Sequence, residues 1–151
     1  MAVCHLLLVI LLLLRLSTAF YVMAGIRPPN FLQRLRLPLA DGWEYAWLVS
    51  GIAPVFALIA LRRNQVFLMK QFMLGIAVFG ILPIVYGFYD NFDDLMEFWE
   101  SKKASRSFLG FPWVVLEQMF FVVCLQVHGF GLYFAQQLLT AWQPRGNKKV
   151  N

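Results

Sequence analysis

The residues best able to do chemistry lie in one apolar stretch. Glu117, Phe121, Cys124, His128, Gly131 and Ala135 stand at offsets 0, 4, 7, 11, 14 and 18, which on a helix confines them to about one third of the circumference. A carboxylate, a thiol and an imidazole on one face of an apolar helix invite two readings. One is a proton path, or half a metal site in which Cys124 and His128 have the i, i+4 spacing of paired ligands. The other is a helix–helix contact face, where small residues allow close approach and polar ones hydrogen-bond across. The contact face is the stronger reading, because a metal wants three or four ligands and only Cys4 and His5, near another helix end, remain. No metal and no cofactor are therefore expected.

Two more charges sit inside apolar runs. Arg15 interrupts the first run near its middle and is expected to pair with Glu117, about one turn inside the fourth. Lys70, four residues into the third run, belongs to the opposite leaflet and can snorkel back toward Arg62 and Arg63. Glycine-rich phosphate loops, HExxH, Gly-x-Ser-x-Gly and a thiol partner at the depth of Cys124 are all missing, so no catalytic residues are assigned and an oxidoreductase reading on Cys124 is weak.

The elements that must position these residues follow from composition. The chain of 151 residues is 60% hydrophobic and 14% charged, against about 45–50% apolar and about 25% charged in soluble domains. Its mean hydropathy is +0.65. Together these indicate an all-α integral membrane protein in contact with the lipid bilayer. The net charge of +5 comes from basic residues scattered at the edges of apolar runs, a topology signal that excludes a nucleic-acid footprint.

Four spans are expected, at about 6–24, 45–61, 66–88 and 113–137, forming one transmembrane domain with a tail at 140–151. In the first, Arg15 costs about 2.5–3.5 kcal/mol, roughly offset by Leu6–Leu14 at about 0.3–0.6 kcal/mol each. A cleaved signal peptide is the competing reading; an uncharged Met1–His5 and the position of Arg15 favour a retained helix. Trp43, Tyr45 and Trp47 read as interfacial anchors of the second span. Arg62–Gln65 alone separates the second and third spans, which predicts a tight antiparallel hairpin. Pro54 and Pro83 predict kinks, and Pro28–Pro29 with Pro38 predict an extended first loop. In the third loop Phe92, Leu95, Met96 and Trp99 recur at i, i+3, i+4, i+7 opposite Asp93, Asp94, Glu97 and Glu100, the pattern of a short interfacial helix.

An even number of spans puts both termini on one side. The side with the termini and Arg62–Arg63 carries five Lys and Arg, the other six, but the five lie in a short loop and a tail that lack acids. That favours cytosolic termini and a cytosolic hairpin. Lys148 and Lys149 then stand fourth and third from the end, as in a dilysine retrieval signal read by coatomer.

Trp43–Glu44–Tyr45 with Ser50 and Pro54, Arg63–Asn64, Pro83–Ile84 with Tyr86–Gly87, Phe108 with Gly110–Phe111, Gln126–Val127–His128, and Leu132–Tyr133 with Trp142 follow one another in an order and spacing that resemble the Jagunal family from about His5 to Trp142. The resemblance implies a four-span endoplasmic-reticulum membrane protein with cytosolic ends. It further implies reticular organisation, vesicle-mediated traffic in the early secretory pathway, contact with coatomer, and cargo or trafficking partners. In one respect the sequence departs from that pattern: members of the family carry a longer polar N-terminal segment, whereas here only Met1–Cys4 precede the match. An alternative from another class is a small transporter or proton-coupled carrier using Glu117 and His128, which requires a polar cavity beside the fourth helix.

Overall fold

The computed structural model describes residues 2–35, 37–104 and 106–142. Among them four helical stretches are long and apolar enough to cross a membrane: Val3–Met23, Gly42–Arg63, Val66–Asp90 and Trp113–Trp142. All are α-helical in the main, as the composition requires.

Helix α1 (Ala2–Met23) is a leucine-rich run that stops where Gly25 takes a positive φ of 67°. The Gly25 and Ile26 N–H groups close back on the carbonyls of Val22 and Tyr21 at 3.0 and 2.9 Å, a C-terminal cap that glycine adopts without steric cost. The first loop is not wholly extended as expected. It contains α2 (Asn30–Leu35), started by Pro28–Pro29 and held by buried Leu32. Proline has its φ preset near the helical value and no N–H to lose at a first turn, so it can start a helix as readily as it ends one.

The second span begins three residues earlier than predicted. Helix α3 (Gly42–Leu48) opens with Glu44 Oε1 accepting the Asp41 N–H at 3.0 Å, half of a capping box. A 3₁₀ turn at Val49–Ile52 leads into α4 (Ala53–Arg63), with Pro54 in its first turn. Asn64, left-handed at φ 49°, reverses the chain into α5 (Val66–Gly75). A π-helical turn at Ile76–Ile81 then precedes α6 (Leu82–Asp90), with Pro83 in its first turn. Both prolines thus follow a local change of helical pitch, which relieves the missing donor and the ring clash.

In the third loop α7 (Phe92–Ser101) forms where the periodicity places it, and none of its residues is buried. Phe92, Met96 and Trp99 are exposed, so much of the apolar stripe is left uncovered by the bundle. An unforeseen two-residue hairpin follows, β1 (Ser107–Phe108) with β2 (Phe111–Pro112), turned by Leu109 and Gly110 at φ 50° and 85°. Helix α8 (Trp113–Trp142) is one continuous helix of 30 residues, about 45 Å long against a hydrocarbon core of about 30 Å. It passes the expected end at 137 and enters the segment assigned to the tail.

The end of the bundle carrying the first and third loops is called the loop end, and the end at Arg62–Gln65 the hairpin end. Helix α1 packs on α3 and α8. One core cluster, near the loop end, joins Leu12, Leu16, Trp43, Trp47, Ile84, Phe121 and Cys124. The other, toward the hairpin, joins Ala53, Ala60, Met69, Phe72, Ile76, Ala135 and Leu139.

Candidate functional site

Arg15 is 8% exposed and is the centre of the loop-end core. Its Nη1 lies 3.3 Å from Glu117 Oε1 and is also ion-paired with Glu44 Oε1, while Nη2 donates to Asp41 Oδ2 and to the Leu39 carbonyl, both at 3.1 Å. Its guanidinium carbon stands 4.4 Å from the Trp113 ring centre. Leucines on α1 carry Arg15 into the core, the cap of α3 presents Asp41 and Glu44, and the first turns of α8 present Trp113 and Glu117.

Arg15 and Glu117 therefore meet, as their depths predict, but they are not a simple pair. Donor oxygens of Asp41, Glu44 and Glu117 lie within 4.8 Å of one another, the one such grouping of three His, Cys, Asp or Glu among the described residues. Three oxygen donors would suit a hard cation, and the guanidinium fills that role here. Asp41 and Glu44 are the members that sequence reasoning left in the loop, and Glu44 is fully buried, with 0% exposure. The Asp41-x-x-Glu44 cap pattern was the signal that could have drawn it into the helix.

A second polar layer lies deeper. Trp47 Nε1 donates to His128 Nε2 at 3.1 Å, and the two rings stack with centroids 5.7 Å apart. His5 packs against both, 5.0 Å from His128 and 5.6 Å from Trp47, with Ser50 Oγ 3.5 Å from its Nε2. The indole N–H makes Nε2 of His128 an acceptor, which puts the proton of a neutral ring on Nδ1. Gly80 lets the imidazole in: a Cβ there would stand 2.8 Å from the ring. Trp43 and Trp47, expected at the interface, are instead 2% and 0% exposed. Their i, i+4 spacing puts both on the inward face of α3, where the Trp47 donor finds a partner.

The face read on α8 does point inward, with Glu117, Phe121, Cys124, His128 and Ala135 all buried. Cys4 is exposed while Cys124 is buried, so α1 contributes an imidazole and no thiol to this layer. Lys70 is exposed one turn inside the hairpin end, and Arg62 and Arg63 are exposed in the last turn of α4. Lys148 and Lys149 lie outside the described residues.

The family model described as "Jagunal, ER re-organisation during oogenesis" matches residues 1–146. The chain belongs to the Jagunal family. Within that family it is 37% identical over 117 residues to "Protein jagunal homolog" of Caenorhabditis elegans, covering 76% of this chain and 62% of the relative. It is 36% identical over 121 residues to "Protein jagunal" of Drosophila melanogaster, covering 76% and 61%. Against "Protein jagunal homolog 1" of Homo sapiens it is 30% identical over 100 residues, covering 66% and 55%. The match spans less than two thirds of the length of each of these Jagunal proteins.

Proposed function

We propose that this Jagunal-family chain is a multi-pass protein of the endoplasmic-reticulum membrane that supports reticular organisation and vesicle-mediated transport in the early secretory pathway. The observation that carries the reading is the family match over residues 1–146, which takes in all four spans. The chain acts without catalysis or cofactor, as one transmembrane domain with lipid, trafficking proteins and cargo as its partners. Arg15, Glu117 and His128 hold the bundle together. Both termini and the Arg62–Arg63 hairpin face the cytosol, where the tail offers Lys148 and Lys149 to coatomer. The alternative of a proton-coupled carrier needs a polar cavity at His128. The cavity of about 140 Å³ there is lined by Pro54, Leu58, Phe72, Ile76, Phe134 and other apolar groups beside the two histidines, which does not favour transport.

Protease protection in sealed microsomes tests the orientation, with one tag between Pro144 and Lys148 and another in the third loop. A cleaved tail tag and a protected loop tag are expected. Lys148→Ser with Lys149→Ser should then move the protein to the Golgi or cell surface. A protected tail tag, or unchanged reticular staining of the double variant, overturns retrieval by coatomer.

A further inference from the structure

Helix α8 is polar on its lipid side as well as on its bundle side. Val122, Gln126, Gly129, Tyr133, Gln136 and Thr140 stand at offsets 0, 4, 7, 11, 14 and 18, the spacing of the inward face set five residues further on. Five residues carry a helix about 140° beyond a full turn, so the six form one stripe facing away from the core. All six are exposed. The outer face of α1 is different. Its exposed residues between His5 and Arg15 are Leu6, Leu7, Ile10, Leu11, Leu13 and Leu14, which lipid tails solvate as well as another helix would.

Gln126 lies far from either membrane surface. A Cβ on Gly80, near the middle of the 25-residue third span Val66–Asp90, would touch the His128 ring, so His128 is near mid-depth. Gln126 is two residues away, about 3 Å along the axis. Its carboxamide is too short to reach headgroups about 15 Å off. The side-chain hydrogen bonds of α8 among the described residues engage Glu117, His128 and Thr140 and leave Gln126 out. Lipid tails offer it neither donor nor acceptor. Gly129, one turn on, is equally unexplained by its own bundle. Gly80 and Gly87 make room for His128 and Trp43, whereas a Cβ on Gly129 would meet nothing within 4 Å.

A second helix laid on the stripe accounts for both residues. Small residues let helix backbones approach, and carboxamides hydrogen-bond across the gap. Alternating steps of four and three residues average 3.5, the repeat of a left-handed helical seam. Symmetry narrows the partner. Copies of one chain enter the membrane in one orientation, so a two-fold axis between them runs along the membrane normal and each stripe residue meets its counterpart at equal depth. A carboxamide both donates and accepts, so it is complementary to its own copy, and a stripe without charge brings no repulsion. We propose that two copies of this chain pair in parallel through the outer face of α8, with Gln126 hydrogen-bonded to its counterpart beside a close approach at Gly129.

Oxidative cross-linking in microsomes, with one cysteine added to the full chain, tests the face. The background is Cys4→Ser, which removes the exposed thiol and leaves Cys124 buried. Val122→Cys and Tyr133→Cys should give a disulfide-linked dimer, and the exposed neighbours Val123→Cys and Phe134→Cys, about 100° round the helix, roughly ten-fold less. Energy transfer between labelled chains in liposomes measures affinity. Gln126→Leu should raise the dimer dissociation constant about three- to thirty-fold. Gly129→Leu should raise it further, and because a side chain there meets nothing in the monomer, the thermal transition of the monomer should be retained. Should either variant fail to fold, the cross-linking pattern decides alone. Equal cross-linking at all four positions overturns the pairing, as does energy transfer that both folded variants leave unchanged. Cross-links from Val122→Cys to a different polypeptide, without a dimer of this chain, overturn the second copy as the partner.

Discussion

Around Arg15 the bundle is closed by bulky and directional groups, among them Trp43, Trp47, Phe121 and four charged side chains. Toward Asn64 it is closed by Ala53, Ala60 and Ala135 beside Met69 and Phe72. The loop-end contacts join residues far apart in the chain, such as Arg15 and Glu117 at a separation of 102. Helices α4 and α5 are instead brought together by a turn of a few residues, and little else is needed to set their register. The difference teaches that polar contacts select which helices become neighbours, while small side chains set how closely those neighbours approach.

Removing the centre of the polar half should do the most damage. Arg15→Leu leaves Asp41, Glu44 and Glu117 without their counter-charge, a change of about 3–5 kcal/mol for a buried ion network. Steady-state protein and the thermal midpoint in detergent should both fall. Neutralising Glu117 alone cannot restore them, because Glu44 stays charged; combining Arg15→Leu with Glu44→Gln and Glu117→Gln should recover most of the loss. An Arg15→Leu chain as stable as wild type would erase the contrast between the two ends.

A matched pair of glycine substitutions sharpens it at a smaller scale. A Cβ on Gly87 would stand 2.7–2.9 Å from Trp43 ring atoms, whereas one on Gly75 would meet only Ala53 Cβ, at 3.2 Å. Gly87→Ala should cost about 1–3 kcal/mol by overpacking and Gly75→Ala clearly less. Thermal unfolding of the two variants side by side gives the ranking, and a reversed order would break the comparison.

The smallest expected effect is at the turn. Asn64 holds φ 49°, which alanine tolerates less well, so Asn64→Ala should cost about 1 kcal/mol or less while Asn64→Gly stays near wild type. Denaturant titration of both variants checks this.

Length and hydropathy made the spans legible, because both are local properties of the chain. The inward face of α8 was legible from spacing, and the Arg15–Glu117 contact from two charges at similar depth. Glu44 was not, because its burial depends on a cap that starts the second span at Gly42. Trp43 and Trp47 carried the composition of an interfacial belt, and only their partners Gly87 and His128, on other helices, put them in the core. The hairpin turn asks a non-glycine, Leu109, to take a positive φ, for which the residue type carries no cue. Likewise α2 and the π-helical turn have no compositional mark that separates them from an extended loop or a regular helix.

That π-helical turn bears on how the chain can change length. Its i to i+5 bonding accommodates one residue more than an α turn does. Dropping one residue between Ile76 and Ile81 restores regular pitch while Met69 and Phe72 before it, and Ile84 and Gly87 after it, keep their faces. The same loss elsewhere in the third span would rotate everything beyond it by about 100°. Ile76–Ile81 is accordingly the stretch where a one-codon deletion in a lineage leaves the third helix still facing Trp43 and the rest of the bundle.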